Sequence, residues 1–325
     1  MNKKTLLICI LTLHVFIFGG YGESNAEPIV VYMAGEDIVV RQDGEFELLI
    51  DKSHGGTIAK YFDLETDPNK TTNIVVNLNQ SPIYHGLHFI MFKQGGGSLP
   101  VPELWTAQWS SRADMEIIYQ SSRKVIVHIF GDFHGHLQLP ASYDMVYTIE
   151  SDPDTSGALI YIRSRVIFNS NYANTMQIRQ VFGLTGVYGT PGGWVEYSQG
   201  GDLVPYWIWR PGDDYIGARI NASMLKTDPV MIMHRDWNIA DRITLIGPPK
   251  VNYYCFIAWV SDRWHNFTAG HVIENKYLVR MDQTSVTDHT TVAPLAAAYR
   301  QTDGGDFEGR SGVQVGPLHL LLNDE

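Results

Sequence analysis

This 325-residue sequence predicts an all-β fold, a large antiparallel β-sandwich in a single domain. Three observations carry that expectation. Short runs rich in Val, Ile, Tyr and Phe recur along the chain, separated by clusters of Gly, Pro, Asn and Asp. Helical periodicity is nearly absent: "VAPLAAAYRQ" (Val292–Gln301) is the one plausible short helix, ended by Gly304. No blade-length or coil-length repeat marks a propeller or a parallel β-helix. So many strands in one undivided chain are best accommodated as two large antiparallel sheets packed face to face.

Taken in order, residues 1–26 are set aside first. "MNKK" is a short basic start, "TLLICILTLHVFIF" an apolar core, and Ser24 and Ala26 stand in the small-x-small arrangement of a cleavage site. The expectation is a cleaved signal peptide, a secreted or periplasmic protein of bacterial type, and one β domain over 27–325. The apolar core is shorter than the ~20 residues of a membrane span, so no membrane insertion is expected after cleavage. Without Lys3, Lys4 and Glu23 the chain holds 22 basic and 34 acidic residues. That balance excludes nucleic acid as an expected partner, because nucleic acid needs a basic footprint. One cysteine remains, Cys255 in "YYCFIAWV", and is read as a buried thiol.

The strands expected in the first third are "PIVVYM", "DIVVRQ", "FELLID", "TIAKYFDL", "IVVNL" and "HFIMF". "MEIIYQ", "VIVHIF" and "HLQL" follow. The clearest hairpin joins Tyr143–Glu150 to Ala158–Phe168 across "SDPDTSG", whose Pro153 and Gly157 suit a turn. "QIRQVFGL", "VMIMH", "RITLIG", "YYCFIAWV" and "YLVRMD" complete the set.

The stretch "GEFELLIDKSHGGTIAKYFDLETDPNKTTNIVVNL" (Gly44–Leu78) resembles the opening of the galactose-mutarotase-like supersandwich domains. The hairpin Tyr143–Phe168 is similar to their long central strands. Such domains occur in aldose epimerases, glycoside hydrolases and polysaccharide lyases, so the resemblance implies a β-supersandwich and leaves the activity to the residues. The Asn-His and aromatic-loop pattern of the epimerases is not found, and no epimerase site residue is carried over.

Residues 125–139, "VIVHIFGDFHGHLQL", sort by parity: alternate side chains of a strand face opposite ways, which displays His128, Asp132, His134 and His136 on one side. His134 and His136 would lie ~7 Å apart at strand spacing. They could hold a metal if "HGLH" (His85–His88) came near. No third ligand is set by spacing, so no metal and no cofactor are expected. On the hairpin, Tyr143 and Tyr147 share one face of the first strand, and Tyr161, Arg163 and Arg165 one face of the second. Were these rows to meet the histidines, the set would suit β-elimination at a uronic acid. Arg163 and Arg165 would neutralise the sugar carboxylate, His134 or His136 would remove the adjacent proton, and Tyr143 or Tyr147 would protonate the leaving oxygen.

Aromatic residues are dense in loop-like stretches. Trp105, Trp109, Trp194, Trp207 and Trp209 are candidates to stack on sugar rings. The acidic loops with Asp213 and Asp214, and with Asp303, Asp306 and Glu308, match no EF-hand spacing and read as solvated. The sequence therefore leads to a secreted carbohydrate-active protein whose partner is a poly- or oligosaccharide. A polysaccharide lyase is the first expectation. A non-catalytic glycan-binding or surface-structural protein, or a glycoside hydrolase, is the alternative.

Overall fold

The computed structural model describes residues 27–71, 73–75, 85–94, 104–134, 139–152, 157–185, 194–197, 206–209, 217–220, 228–234, 240–246, 255–262 and 266–282. Residues 1–26, where a signal peptide is expected, the expected helix 292–301 and the acidic loops at 213–214 and 303–308 lie outside these residues.

The first sheet is a meander of β1 (Ile29–Ala34), β2 (Asp37–Gln42), β3 (Phe46–Asp51) and β4 (Thr57–Asp63). Gly35 and Gly44 take the left-handed backbone their tight turns require, at φ of 70° and 74°. Ile38, Val40, Phe46, Leu48 and Ile50 go to the core by strand alternation. The register shifts between Leu49 and Ile50, which leaves Ala59 as an extra residue on β4 in the manner of a β-bulge. The Asn of "NIVVNL" has a structural task. Asn73 accepts from the Tyr61 and Val75 amides and donates to the Ala59 carbonyl, stitching the following loop to β4. "IVVNL" itself contributes a buried Ile74 and one bridge residue, Val75, and its last three residues lie outside the described residues.

A six-stranded sheet contains β5 (His88–Gln94), β6 (Leu104–Ala107), β11 (Gln177–Thr185), β13 (Tyr206–Trp209), β16 (Ala240–Ile246) and β17 (Cys255–Asp262), in the order β13-β16-β17-β11-β5-β6. An eight-stranded sheet contains β7 (Asp114–Gln120), β8 (Lys124–Asp132), β9 (Ala141–Ser151), β10 (Ala158–Phe168), β12 (Trp194–Tyr197), β14 (Gly217–Ile220), β15 (Asp228–His234) and β18 (Val272–Asp282). Its order is β12-β14-β15-β18-β10-β9-β8-β7. The paired strands run antiparallel, as the sequence predicts, and the meander is a third sheet beside the two large ones. "HLQL" forms no strand at Leu139, and its first three residues lie outside the described residues.

One apolar cluster joins all three sheets: Ile38 and Leu48 from the meander, Ile90, Phe92 and Ile178 from the six-stranded sheet, and Val127, Met145, Tyr147 and Ile162 from the eight-stranded one. The two large sheets are also pinned by a buried polar bridge. Gln180 Oε1 on β11 accepts from His88 Nε2 on β5 at 2.9 Å and from Ser164 Oγ on β10 at 3.0 Å. Desolvation pushes the His88 pKa down to about 3 against the raising effect of the Gln180 bond, so the ring is neutral and donates from Nε2.

Candidate functional site

Strand β8 sets the geometry. Val125, Val127 and Ile129 point into the core and are fully buried, so His128 points out of the other face of the eight-stranded sheet. Antiparallel register lays further polar residues beside it. Glu116 of β7 stands opposite His128, and Phe130, Asp144, Arg165 and Glu274 form the next row across β8, β9, β10 and β18.

The side chains close a continuous ladder across five strands. His128 Nδ1 lies 2.9 Å from Glu116 Oε1 and His128 Nε2 2.9 Å from Asp144 Oδ1. The other Asp144 oxygen meets Arg165 at 3.5 Å. Glu274 Oε2 then joins both guanidiniums, Arg165 Nε at 3.1 Å and Arg163 at 3.4 Å. With a carboxylate on each ring nitrogen, His128 is a double donor and carries a charge. Burial works against that charge and is the largest single influence. The hydrogen bonds to Asp144 and Glu116, with the charges of both, outweigh it and raise the pKa above the ordinary histidine value. For Asp144, burial pushes upward, and the His128 bond with the charges of His128, Arg165 and Arg163 brings the carboxyl below its ordinary value. The ladder thus presents an imidazolium proton donor, three carboxylates and two guanidiniums on one sheet face. Glu116 is its open end, half exposed, while Asp144, Arg163 and Arg165 are partly covered.

The expected site residues separate. Arg163 and Arg165 are in the ladder. Tyr143 and Tyr147 are not: they point to the opposite, core face and are 1% and 0% exposed. The reason is hairpin register, which sets odd-numbered residues of β9 against even-numbered residues of β10, with Tyr147 opposite Ile162 and Asp144 opposite Arg165. The expected meeting of these tyrosines with the arginines is therefore corrected. Desolvation raises both hydroxyls well above the ordinary tyrosine value. Tyr161 does share the arginine face, though it is buried.

His134 lies beyond the end of β8. Its backbone is fastened to the 3-10 turn Gln108–Ser110 and the residue after it, by Ser110 Oγ to its carbonyl at 2.6 Å and its amide to Ser111 Oγ at 2.8 Å. Its side chain is exposed. His136 lies outside the described residues. The histidines of "HGLH" also part company: His88 joins the inter-sheet bridge, and His85 stands beside Asp51 and His54.

The tryptophans do not form one loop cluster. Trp105 is in β6 at one edge of the six-stranded sheet, Trp207 and Trp209 in β13 at its other edge, and Trp194 opens β12 at an edge of the eight-stranded sheet. They occupy short strands, where the sequence suggests loops, and their side chains lie outside the described residues. Trp109 is in the 3-10 turn and partly buried, with its indole N–H enclosed.

Sequence reasoning passes over Glu116, Asp144 and Glu274, and places His128 in the displayed row without assigning it a role. The available signal is the hairpin itself, since fixing its turn fixes that Asp144 faces Arg165.

No family model matches this chain, and no curated protein matches it. Solved structures of similar chain path exist. A galactose mutarotase-like protein from Clostridium acetobutylicum is 10% identical, with a TM-score of 0.47, over 79% of this chain and 98% of that one. A galactose mutarotase related enzyme from Lactobacillus acidophilus is 10% identical, with a TM-score of 0.45, over 77% and 98%. The 4-alpha-glucanotransferase from Thermococcus litoralis is 12% identical, with a TM-score of 0.45, over 80% of this chain and 42% of that one. The likeness is one of chain path, and no chemistry is carried over from it.

Proposed function

We propose that this chain is a carbohydrate-active protein working outside the cytoplasm, and that the ladder Glu116–His128–Asp144–Arg165–Glu274–Arg163 is the floor on which its sugar lies. The observation that carries the proposal is His128 held between two carboxylates beside two guanidiniums on one partly covered sheet face. Alternating donors and acceptors suit sugar hydroxyls, and the charged ring supplies a proton where a leaving oxygen needs one.

The finer reading is β-elimination on a uronic-acid glycan, with roles shifted from those the sequence suggests. The substrate carboxylate takes the place of Glu274 on Arg163 and Arg165. The freed Glu274 carboxylate accepts the proton from the carbon bearing the substrate carboxylate. The electron pair left there forms the new carbon–carbon double bond as the neighbouring C–O bond breaks, and His128 donates its proton to the departing oxygen. In this reading the tyrosines of β9 take no part.

The test is a panel of uronic-acid polysaccharides, followed by the ultraviolet absorbance of the unsaturated product and by reducing ends. The reading expects absorbance to rise with wild type and to fall by about 100-fold or more with Arg165→Ala and with His128→Gln, since each removes a charge-stabilising or proton-transfer group. Circular dichroism of both variants must remain that of the wild type. New reducing ends without absorbance would replace elimination by hydrolysis. Folded variants with full turnover would remove the ladder from the chemistry.

A further inference from the structure

Away from the ladder, at the end of the N-terminal meander, two histidines and an aspartate meet. Asp51 closes β3 and caps the 3-10 turn Lys52–His54, and His85 stands three residues before β5. The Asp51 carboxylate divides its work between its oxygens. Oδ1 accepts from the His54 amide at 3.1 Å and from Ser53 Oγ at 2.6 Å, which builds the turn. Oδ2 faces the imidazoles, 2.7 Å from His54 Nδ1 and 3.8 Å from His85 Nε2. Ser53 Oγ also lies 3.0 Å from His54 Nδ1. The two rings are tilted against each other with centroids 4.5 Å apart.

We propose that Asp51, His54 and His85 form a binding site for a divalent transition-metal ion of the zinc type. One potential ligand atom from each residue falls within 4.8 Å of the others. A tetrahedral ion with ligands at ~2.1 Å wants its donors roughly 3.4 Å apart, so the three need move only by tenths of an ångström to about one ångström. Two imidazole nitrogens and one carboxylate oxygen select zinc and its neighbours over calcium or magnesium, which prefer oxygen donors. Three protein ligands leave a position for water or a substrate group. His54 is about one-third exposed, which opens that side to solvent, while His85 and Asp51 are largely covered.

The loop that carries the donors is held in place beforehand. Gly55 and Gly56 adopt φ of 69° and 67°. A Cβ on Gly55 would fall 2.3 Å from the Gln108 carbonyl oxygen, and one on Gly56 2.3 Å from Ile129 Cγ2. Gln108 Nε2 donates to the Gly55 carbonyl at 2.7 Å. Gly86, next to His85, has φ of 103° and lies against Thr57. Three glycines in left-handed backbone fasten both ligand-bearing segments to their neighbours, and this restricts the donors to one arrangement.

The experiment is calorimetric titration of the chelator-stripped chain with Zn²⁺, alongside the visible spectrum of its Co²⁺ form. The proposal expects one saturable ion per chain and a cobalt band of low-coordinate N/O type. His54→Ala, His85→Ala and Asp51→Asn should each weaken Zn²⁺ at least about tenfold, while His271→Ala, which is not part of the cluster, should leave it unchanged. His54→Ala removes a partly exposed ring and Asp51→Asn keeps the turn-capping oxygen, so both test the site even if His85→Ala fails to fold. Absence of saturable binding overturns the proposal. So does equal affinity in folded His54→Ala and wild type. Because the readout is binding, either result is independent of whether the ladder turns over a glycan.

Discussion

Two histidines of this fold titrate in opposite senses, and each does so because of the side chains around it. The folded His128 pKa is raised above its unfolded value near 6.5. Its contribution to stability is therefore complete below about pH 6.5 and is lost as pH rises through the folded value. The folded His88 pKa is lowered to about 3. Its contribution is complete above about pH 6.5, and stability drops by about 1.4 kcal/mol per pH unit as pH falls from there toward 3. Melting curves across pH 4–9 should show an acid limb that shrinks in a folded His88→Gln variant and an alkaline slope that disappears in His128→Gln. A second residue-scale prediction concerns Tyr147. Its hydroxyl is enclosed with no hydrogen-bond partner among the described residues, and a buried donor left unsatisfied costs about 1–3 kcal/mol. Tyr147→Phe should leave the melting temperature unchanged or raise it. A marked drop would mean that the hydroxyl is satisfied in solution.

At the scale of elements, glycine decides how closely segments can approach. Gly131 of β8 lies under the Tyr143 ring of β9, where an added Cβ would fall 2.6 Å from the Tyr143 hydroxyl oxygen. Gly56, between the 3-10 turn and β4, combines a left-handed φ with a close neighbour, since Ile129 Cγ2 lies 2.3 Å from where an alanine methyl would sit. Gly56→Ala should destabilise the fold by about 2 kcal/mol or more, combining backbone strain with overpacking. Gly35→Ala should cost less, because it shares the left-handed φ and has open space around it. Denaturant midpoints of the two variants separate these causes. The hairpin of β9 and β10 was legible in the sequence from "SDPDTSG" and the long apolar alternation on either side. Its register was not legible, and the register alone decides that Asp144, not Tyr143 or Tyr147, stands beside Arg165. A shift of one residue turns every side chain of a strand to the other face.

The whole molecule rests on the contact of the two large sheets. The bridge His88–Gln180–Ser164 is their buried polar tie, with one amide oxygen serving two donors. Gln180→Leu should destabilise by about 2–4 kcal/mol, because it strands two buried donors at once. Ser164→Ala, which removes one donor and leaves the other bonded, should cost about 1 kcal/mol. Amide exchange should be slowest in β9 and β10, which lie inside the eight-stranded sheet, and fast in β1 and β7 at sheet edges. What the sequence by itself determined is the all-β class, the positions of its long strands and the burial of alternate rows. Each of these follows from the side-chain period of a strand and from local turn chemistry. The four-residue strands β6, β12, β13 and β14 were not legible, because so short a run carries no periodicity. Only the tertiary structure decided the ladder, the inter-sheet bridge and the Asp51–His54–His85 cluster. Their members lie up to 158 positions apart, as Glu116 and Glu274 do. They meet through register and sheet order, which no spacing along a single chain encodes.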